Sequence, residues 1–211
     1  MAELAAHSGS TPTPYAWLRP GVFIGCLVPL ALMVIEATQG QLGADPVAIA
    51  LNRLGLMALI TLVGSLAATP LRLVLGWAWP LRLRRMLGLF AFFYAFLHFT
   101  LYLAIDQGFD FSAILEDVAE RKFITAGFAA FLLLVPLAAT SPLRVRRMLG
   151  PKRWQRLHRL VYLAAALAAL HFIWRVKRDL SEPVLYAAVI GVLLVARITH
   201  RKPRPLQAAR K

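Results

Sequence analysis

The sequence predicts an all-α, polytopic membrane protein built as a six-helix transmembrane bundle. Three observations carry that reading. Of the 211 residues, 59% are hydrophobic, more apolar surface than the core of a soluble chain this size requires. The apolar residues gather into six runs, each near the ~20 residues needed to cross a hydrocarbon core. The formal net charge of +14 is carried by Lys and Arg at the ends of those runs. That placement is a topology and lipid-headgroup signal, and no nucleic-acid partner is expected.

Residues 1–19 form a polar, Pro-rich arm with no evident cleavable signal peptide. The transmembrane domain follows over 20–199, with runs at 20–37, 54–71, 86–105, 123–141, 157–174 and 183–199, and a basic tail occupies 200–211. Pro29 and Pro136 fall inside runs and read as tolerated kinks, because a membrane bundle can re-satisfy the freed backbone groups. The last two runs carry Arg156, Arg159, Arg175 and Arg197 near their ends, where long side chains snorkel to the headgroups. Cys26, the one cysteine, excludes an internal disulfide and reads as packing.

The loops set the orientation. Between the second and third runs lie Arg72, Arg82, Arg84 and Arg85; between the fourth and fifth lie Arg144, Arg146, Arg147, Lys152, Arg153 and Arg156. The loop between the third and fourth is acidic, with Asp106, Asp110, Glu116, Asp117 and Glu120 against only Arg121 and Lys122; the first loop holds Asp45 without a base, and the fifth–sixth loop, "WRVKRDLSEP", is a mild exception. The positive-inside rule therefore places both termini in the cytoplasm. Glu36, at an outer edge, is expected to be solvated. "PLRLRRMLG" (80–88) and "PLRVRRMLG" (142–150) echo one another, each ahead of a histidine-bearing run. Either the two loops met the same topological need or they share a role at the inner headgroup layer.

There are five histidines. His7 and His200, in the polar arm and basic tail, read as solvated bystanders. His98, His158 and His171 lie in membrane runs, where a polar group is costly unless it has work or a partner. The third and fifth runs both enter from the cytoplasm, so His98 and His171 reach similar depth in the outer half, and His158 sits at the inner end. Two imidazoles facing each other across a bundle suit the axial positions of one haem iron, between the third and fifth helices. His158 and His171 are thirteen residues apart, about 20 Å of rise, which would accommodate a second haem near the inner face. In an unbroken helix their side chains would diverge by roughly 140°. The residue fourteen before His98 is Arg84, with Arg85 next; an arginine there pairs with haem propionates, takes an unusual axial position, or serves topology alone.

These residues carry a resemblance. "RWQRLHRLVYLAA…LHFIW", "MLGLFAFFYAFLHFTLYL" and "ILEDVAERKFITAGFAAFLLLVPLAATS" resemble the haem-binding membrane subunits of periplasmic protein-methionine-sulfoxide reductase systems. That family, MsrQ, lies within the ferric-reductase-like transmembrane group, and the likeness runs from about Gly21 to the sixth run. It implies one or two haems b on His98, His158 and His171. It also implies FMN, to which no residues are assigned, and electrons passing from quinol or a cytoplasmic flavin reductase to a periplasmic molybdenum enzyme. That partner would repair methionine sulfoxide in oxidised proteins. The wider group usually pairs histidines at both levels, and Arg84 or Arg85 at the inner level departs from that pattern.

The short final tail offers no Gly-rich turn for a nucleotide-binding module, so a separate donor is expected, and the catalytic site is expected on a separate partner. Two other readings remain: a stand-alone ferric or oxygen reductase of the same fold, and a small transporter or scaffold whose histidines serve proton relay or packing.

Overall fold

The structure, a computed structural model, describes residues 17–199. His7, His200, the basic tail and most of the N-terminal arm lie outside those residues; Leu18 and Arg19, placed in the arm by sequence, already belong to the first helix. Eight helices follow among the described residues: α1 (Leu18–Thr38), α2 (Pro46–Leu75), α3 (Pro80–Leu101), α4 (Phe111–Glu120), α5 (Lys122–Ala139), α6 (Leu143–Leu157), α7 (Leu160–Arg175) and α8 (Ser181–Thr199). A π-turn, Tyr102–Asp106, continues α3. Four helical stretches are each long and apolar enough to cross a membrane: α1, α2, α3 with its π-turn, and α5. The bent pair α6–α7 makes a fifth if it counts as one span. The sixth predicted run is the helix α8.

Helix ends follow local chemistry. Asp45 caps α2, its Oδ1 accepting from the Ala48 N–H at 3.0 Å, and Pro46 supplies the preset φ of a first turn. This starts α2 eight residues before the predicted run, and at thirty residues the helix is about 45 Å long, more than the hydrocarbon thickness. Gly76, at φ 72°, ends it in the left-handed conformation that glycine adopts without a Cβ penalty. Pro29 and Pro136 sit within continuous helices.

Two helices lie outside the predicted runs. The short α4 begins at Asp110, whose carboxylate accepts from the N–H groups of Ser112 and Ala113. Asp117 ties α4 to the end of α3, accepting from Tyr102 Oη at 3.0 Å and Gln107 Nε2 at 3.1 Å and pairing with Arg121. The strongly basic α6 contains the second copy of the echo. In the first copy Gly88 is followed by Leu89 and the helix runs through; in the second Gly150 is followed by Pro151, which disfavours helical geometry in the residue before it. Gly150 accordingly sits at φ 73°, ψ 158°, a region essentially confined to glycine. Gly150→Ala is expected to cost about 1–3 kcal/mol, seen as a drop of several degrees in the unfolding midpoint; an unchanged midpoint would show that the kink relaxes freely.

Close packing comes from small residues, as expected where no hydrophobic drive separates helix from lipid. α2 packs chiefly on α3 and α5 on α7. Gly64 and Gly88 sit in the first seam, where an added Cβ would approach Leu87 and Ser65 to 3.3 Å. Ala126 and Ala130 of α5, and Ala164, Ala165 and Ala169 of α7, are buried. The core gathers Leu59, Leu62 and Leu66 of α2 with Ala91, Leu134, Ala164, Ala165 and Ile190 of α8. Thr61 and Ser65, the polar pair in this apolar setting, satisfy their hydroxyls on the carbonyls of Met57 and Arg84.

Candidate functional site

His98 stands one turn before the end of α3, and His171 lies in the last two turns of α7. Their rings meet edge to face, with centroids 6.1 Å apart and planes at 83°. Equal depth, expected from parallel entry of the two runs, is what this contact requires.

Each ring is held from behind in the same way. Nδ1 of His98 lies 2.9 Å from the Leu51 carbonyl on α2, and Nδ1 of His171 lies 2.7 Å from the Phe123 carbonyl on α5. A carbonyl can only accept, so Nδ1 carries the proton on both rings and donates it. Nε2 is then the unprotonated nitrogen on both, the one with a lone pair to offer a metal. Four residues beyond each carbonyl stands a glycine, in "LNRLG" and "FITAG". A Cβ on Gly55 would come within 3.3 Å of His98 Nδ1, and one on Gly127 within 2.6 Å of His171 Nδ1. The two glycines open the helix surface so that an imidazole can lie against the backbone. Leu51, Gly55, Phe123 and Gly127 were not singled out by the sequence reading. The visible signal is a glycine at matching depth on each neighbouring helix.

This pair fits an iron porphyrin. Two imidazoles on opposite faces of one metal, each bonded at about 2 Å, have centroids about 6 Å apart. Among the described residues no set of three or more His, Cys, Asp or Glu comes together. Two free nitrogens therefore suit a metal whose other positions are already filled by a macrocycle. The backbone acceptors fix ring rotation and raise the basicity of Nε2, the usual outer-shell device at metal-bound histidines. Phe99 of α3 stacks on Phe131 of α5 at 4.7 Å, and Phe92 on Phe131 at 6.0 Å, so the α3–α5 seam is closed by flat apolar contacts.

His158 stands apart. The predicted continuous fifth helix is interrupted: α6 ends at Leu157, α7 begins at Leu160, and the two are bent by 45°. His158 caps α6 and is not on the helix that carries His171, so the 140° divergence expected of an unbroken helix does not apply. Its ring stacks on Trp154 at 3.9 Å, and Arg146 lies over the other ring of that stack at 4.9 Å from the Trp154 centroid. The Thr140 hydroxyl donates to the Pro136 carbonyl at 2.6 Å and accepts from His158 Nε2 at 3.1 Å. The nitrogen that is free in the outer pair is engaged here. Arg84 places Nη1 3.5 Å from Thr69 Oγ1, and its charge, with that of Arg146, reaches His158. Neither His158 nor Arg84 joins the His98–His171 contact. Glu36, expected to be solvated, is partly exposed and ion-paired with Arg53.

Residues 50–169 match the family described as ferric reductase like transmembrane component, a span that includes His98, His158 and both glycines. A relative from Deinococcus radiodurans is 54% identical over 187 residues, covering 89% of this chain and 92% of its own length. One from Rhodospirillum rubrum is 52% identical over 180 residues, covering 85% and 86%. The chain belongs to the MsrQ family. A third MsrQ relative, from Brucella ovis, is 44% identical over 212 residues and covers 99% of this chain and 94% of itself. All three are named protein-methionine-sulfoxide reductase heme-binding subunit MsrQ. The MsrQ relatives thus match nearly the whole length of this chain.

Proposed function

We propose that this chain is the haem b-binding membrane subunit of a protein-methionine-sulfoxide reductase system. It passes electrons from quinol or a cytoplasmic flavin reductase to a periplasmic, molybdenum-dependent partner that performs the repair. The observation that carries this reading is the His98–His171 pair, each ring donating Nδ1–H to a backbone carbonyl and keeping Nε2 for metal. The printed names of the relatives point the same way. Haem, when bound, supplies a one-electron carrier. The chain's residues do the rest: His98 and His171 hold the iron, the carbonyls of Leu51 and Phe123 lock the rings, and the small-residue seams keep the four helices rigid, so little reorganises as charge changes. The flavin implied by the resemblance is assigned no residues.

The reading includes six spans, with α8 as the last, in a bacterial inner membrane with both termini in the cytoplasm. Charge supports it: α6 carries six Arg and Lys with no acid, whereas the opposite helix ends hold the acids Asp45, Asp106, Asp110, Glu116, Asp117, Glu120, Asp179 and Glu182 beside the bases Arg53, Arg121, Lys122, Arg175, Lys177 and Arg178. A second haem on His158, with Arg84 beside it, is the weaker limb, because Nε2 of His158 is engaged by Thr140. His158→Ala is expected to leave the outer haem and its spectrum in place. Loss of the low-spin signal in that variant would move the ligand assignment to the inner end.

The partner decides between electron transfer and self-standing reduction. Haem in the purified protein, chemically reduced, is expected to be reoxidised rapidly by a methionine-sulfoxide reductase plus its substrate, and slowly by ferric chelates or oxygen. Fast oxidation by ferric chelate alone would instead identify a stand-alone reductase, and a preparation without a Soret band a transporter or scaffold.

A further inference from the structure

A cavity of about 420 Å³ lies in the elbow of α6, lined by Leu143, Arg146, Arg147 and Pro151. The bend at Gly150 creates it. In the first copy of the echo, 80–88, the chain continues as helix. In the second, Gly150 turns at φ 73° and ψ 158°, so that Pro151 lines the same hollow as Leu143 and the two arginines. One sequence pattern thus gives a membrane helix in one place and a basic crevice in the other. No residue of α6 is buried, so the crevice sits on the outside of the bundle.

Its charge is uncompensated. Among the described residues no carboxylate forms an ion pair with any base of α6. Arg146 is already held in place: its guanidinium lies 4.9 Å from the Trp154 ring centre, and Trp154 Nε1 donates to the Thr140 carbonyl at 3.0 Å. Two neighbouring guanidiniums lining one hollow suit a phosphate, whose oxygens accept from both. The remaining lining, Leu143 and Pro151, is apolar, and Leu143 and Met148 are 55% and 86% exposed. A ligand that matches both features carries a negative group and a hydrocarbon chain. Depth agrees with this. α6 joins the end of the membrane-length α5 to the start of α7, the level at which apolar helix gives way to headgroups.

We infer that the elbow of α6 binds one anionic phospholipid, its phosphate on Arg146 and Arg147 and its acyl chains leaving past Leu143 into the bilayer. The site goes beyond electron transfer and does not depend on haem. It also differs from the general attraction of basic loops for headgroups, because it is local. Arg144 and Arg153 stand on the same helix with the same charge and do not line the hollow. Arg146 lies over Trp154, on which His158 stacks at 3.9 Å, and Thr140 holds both Trp154 and His158. A lipid bound at Arg146 therefore braces the α6–α7 elbow against the end of α5.

The full-length protein, stripped of lipid in detergent, is offered equal amounts of phosphatidylglycerol and phosphatidylcholine with matched acyl chains. Bound lipid is counted by native mass spectrometry. One phosphatidylglycerol is expected to stay bound under activation that removes phosphatidylcholine. Arg146→Gln with Arg147→Gln is expected to cut that retention about fivefold or more, and Arg144→Gln with Arg153→Gln, an equal loss of charge, by less than about twofold. Leu143→Trp, which fills the hollow and leaves every charge in place, should cut it as strongly as the first pair. All five positions are exposed, so helical content by circular dichroism should match the wild type. Equal loss from the two arginine pairs, indifference to Leu143→Trp, or equal retention of phosphatidylcholine would overturn the inference. So would displacement of the lipid by inorganic phosphate, which would mark a site for the free anion. Haem content enters none of these measurements, so the haem reading stands or falls separately.

Discussion

His98→Ala and His171→Ala are each expected to abolish the low-spin haem spectrum, because in the proposed reading the two rings serve one metal. They come from different helices, α3 and α7, and each is anchored to a third and fourth helix through Leu51 and Phe123. Losing either leaves the other ring in place with no opposing ligand. The expected haem content of the purified variants is below a tenth of wild type, or, where haem is retained, a shift to a high-spin spectrum. The two substitutions should be nearly equivalent, and the double variant no worse than either alone. Full haem content with an unchanged spectrum in either one would break the pairing.

The second large effect is expected from a residue that touches no ligand at all. Gly127→Ala would place a Cβ 2.6 Å from Nδ1 and 2.9 Å from Cε1 of His171, closer than real Cβ contacts allow. The ring must swing away, breaking its hydrogen bond to the Phe123 carbonyl and releasing its tautomer and orientation. Removal of such an outer-shell partner typically costs 10- to 100-fold in metal affinity. Haem titration of the apoprotein should show a loss in about that range. Gly55→Ala meets His98 at 3.3 Å, where a few tenths of an ångström suffice, so its effect should be several-fold smaller. Equal effects from the two glycines, or none from Gly127→Ala, would show that ring anchoring does not govern binding.

Much of this was readable in the linear sequence, for physical reasons. The runs around Leu27, Leu62, Phe92 and Leu132 must be helical in hydrocarbon, because only a helix satisfies its own backbone there. The depth of His98 and His171 follows from counting residues inward from Arg85 and Arg156. Breaks and docking contacts were less legible. Gly150–Pro151 and the turn at His158–Arg159 interrupt a stretch that reads as one span, and they moved His158 off the helix of His171. The Leu51–Gly55 and Phe123–Gly127 cradles depend on which helices become neighbours, and α2 against α3 or α5 against α7 is a tertiary outcome. The Glu36–Arg53 pair lies across a loop, seventeen residues apart, where helical periodicity gives no guide.

The central claim is that two perpendicular imidazoles, from α3 and α7, hold one ferric iron. Electron paramagnetic resonance of the oxidised protein tests it most directly. Planes at 83° are expected to give a strongly anisotropic low-spin ferric signal, lost in both His98→Ala and His171→Ala and retained in His158→Ala. A high-spin signal in the wild type, or a low-spin signal that survives loss of either outer histidine, would contradict it.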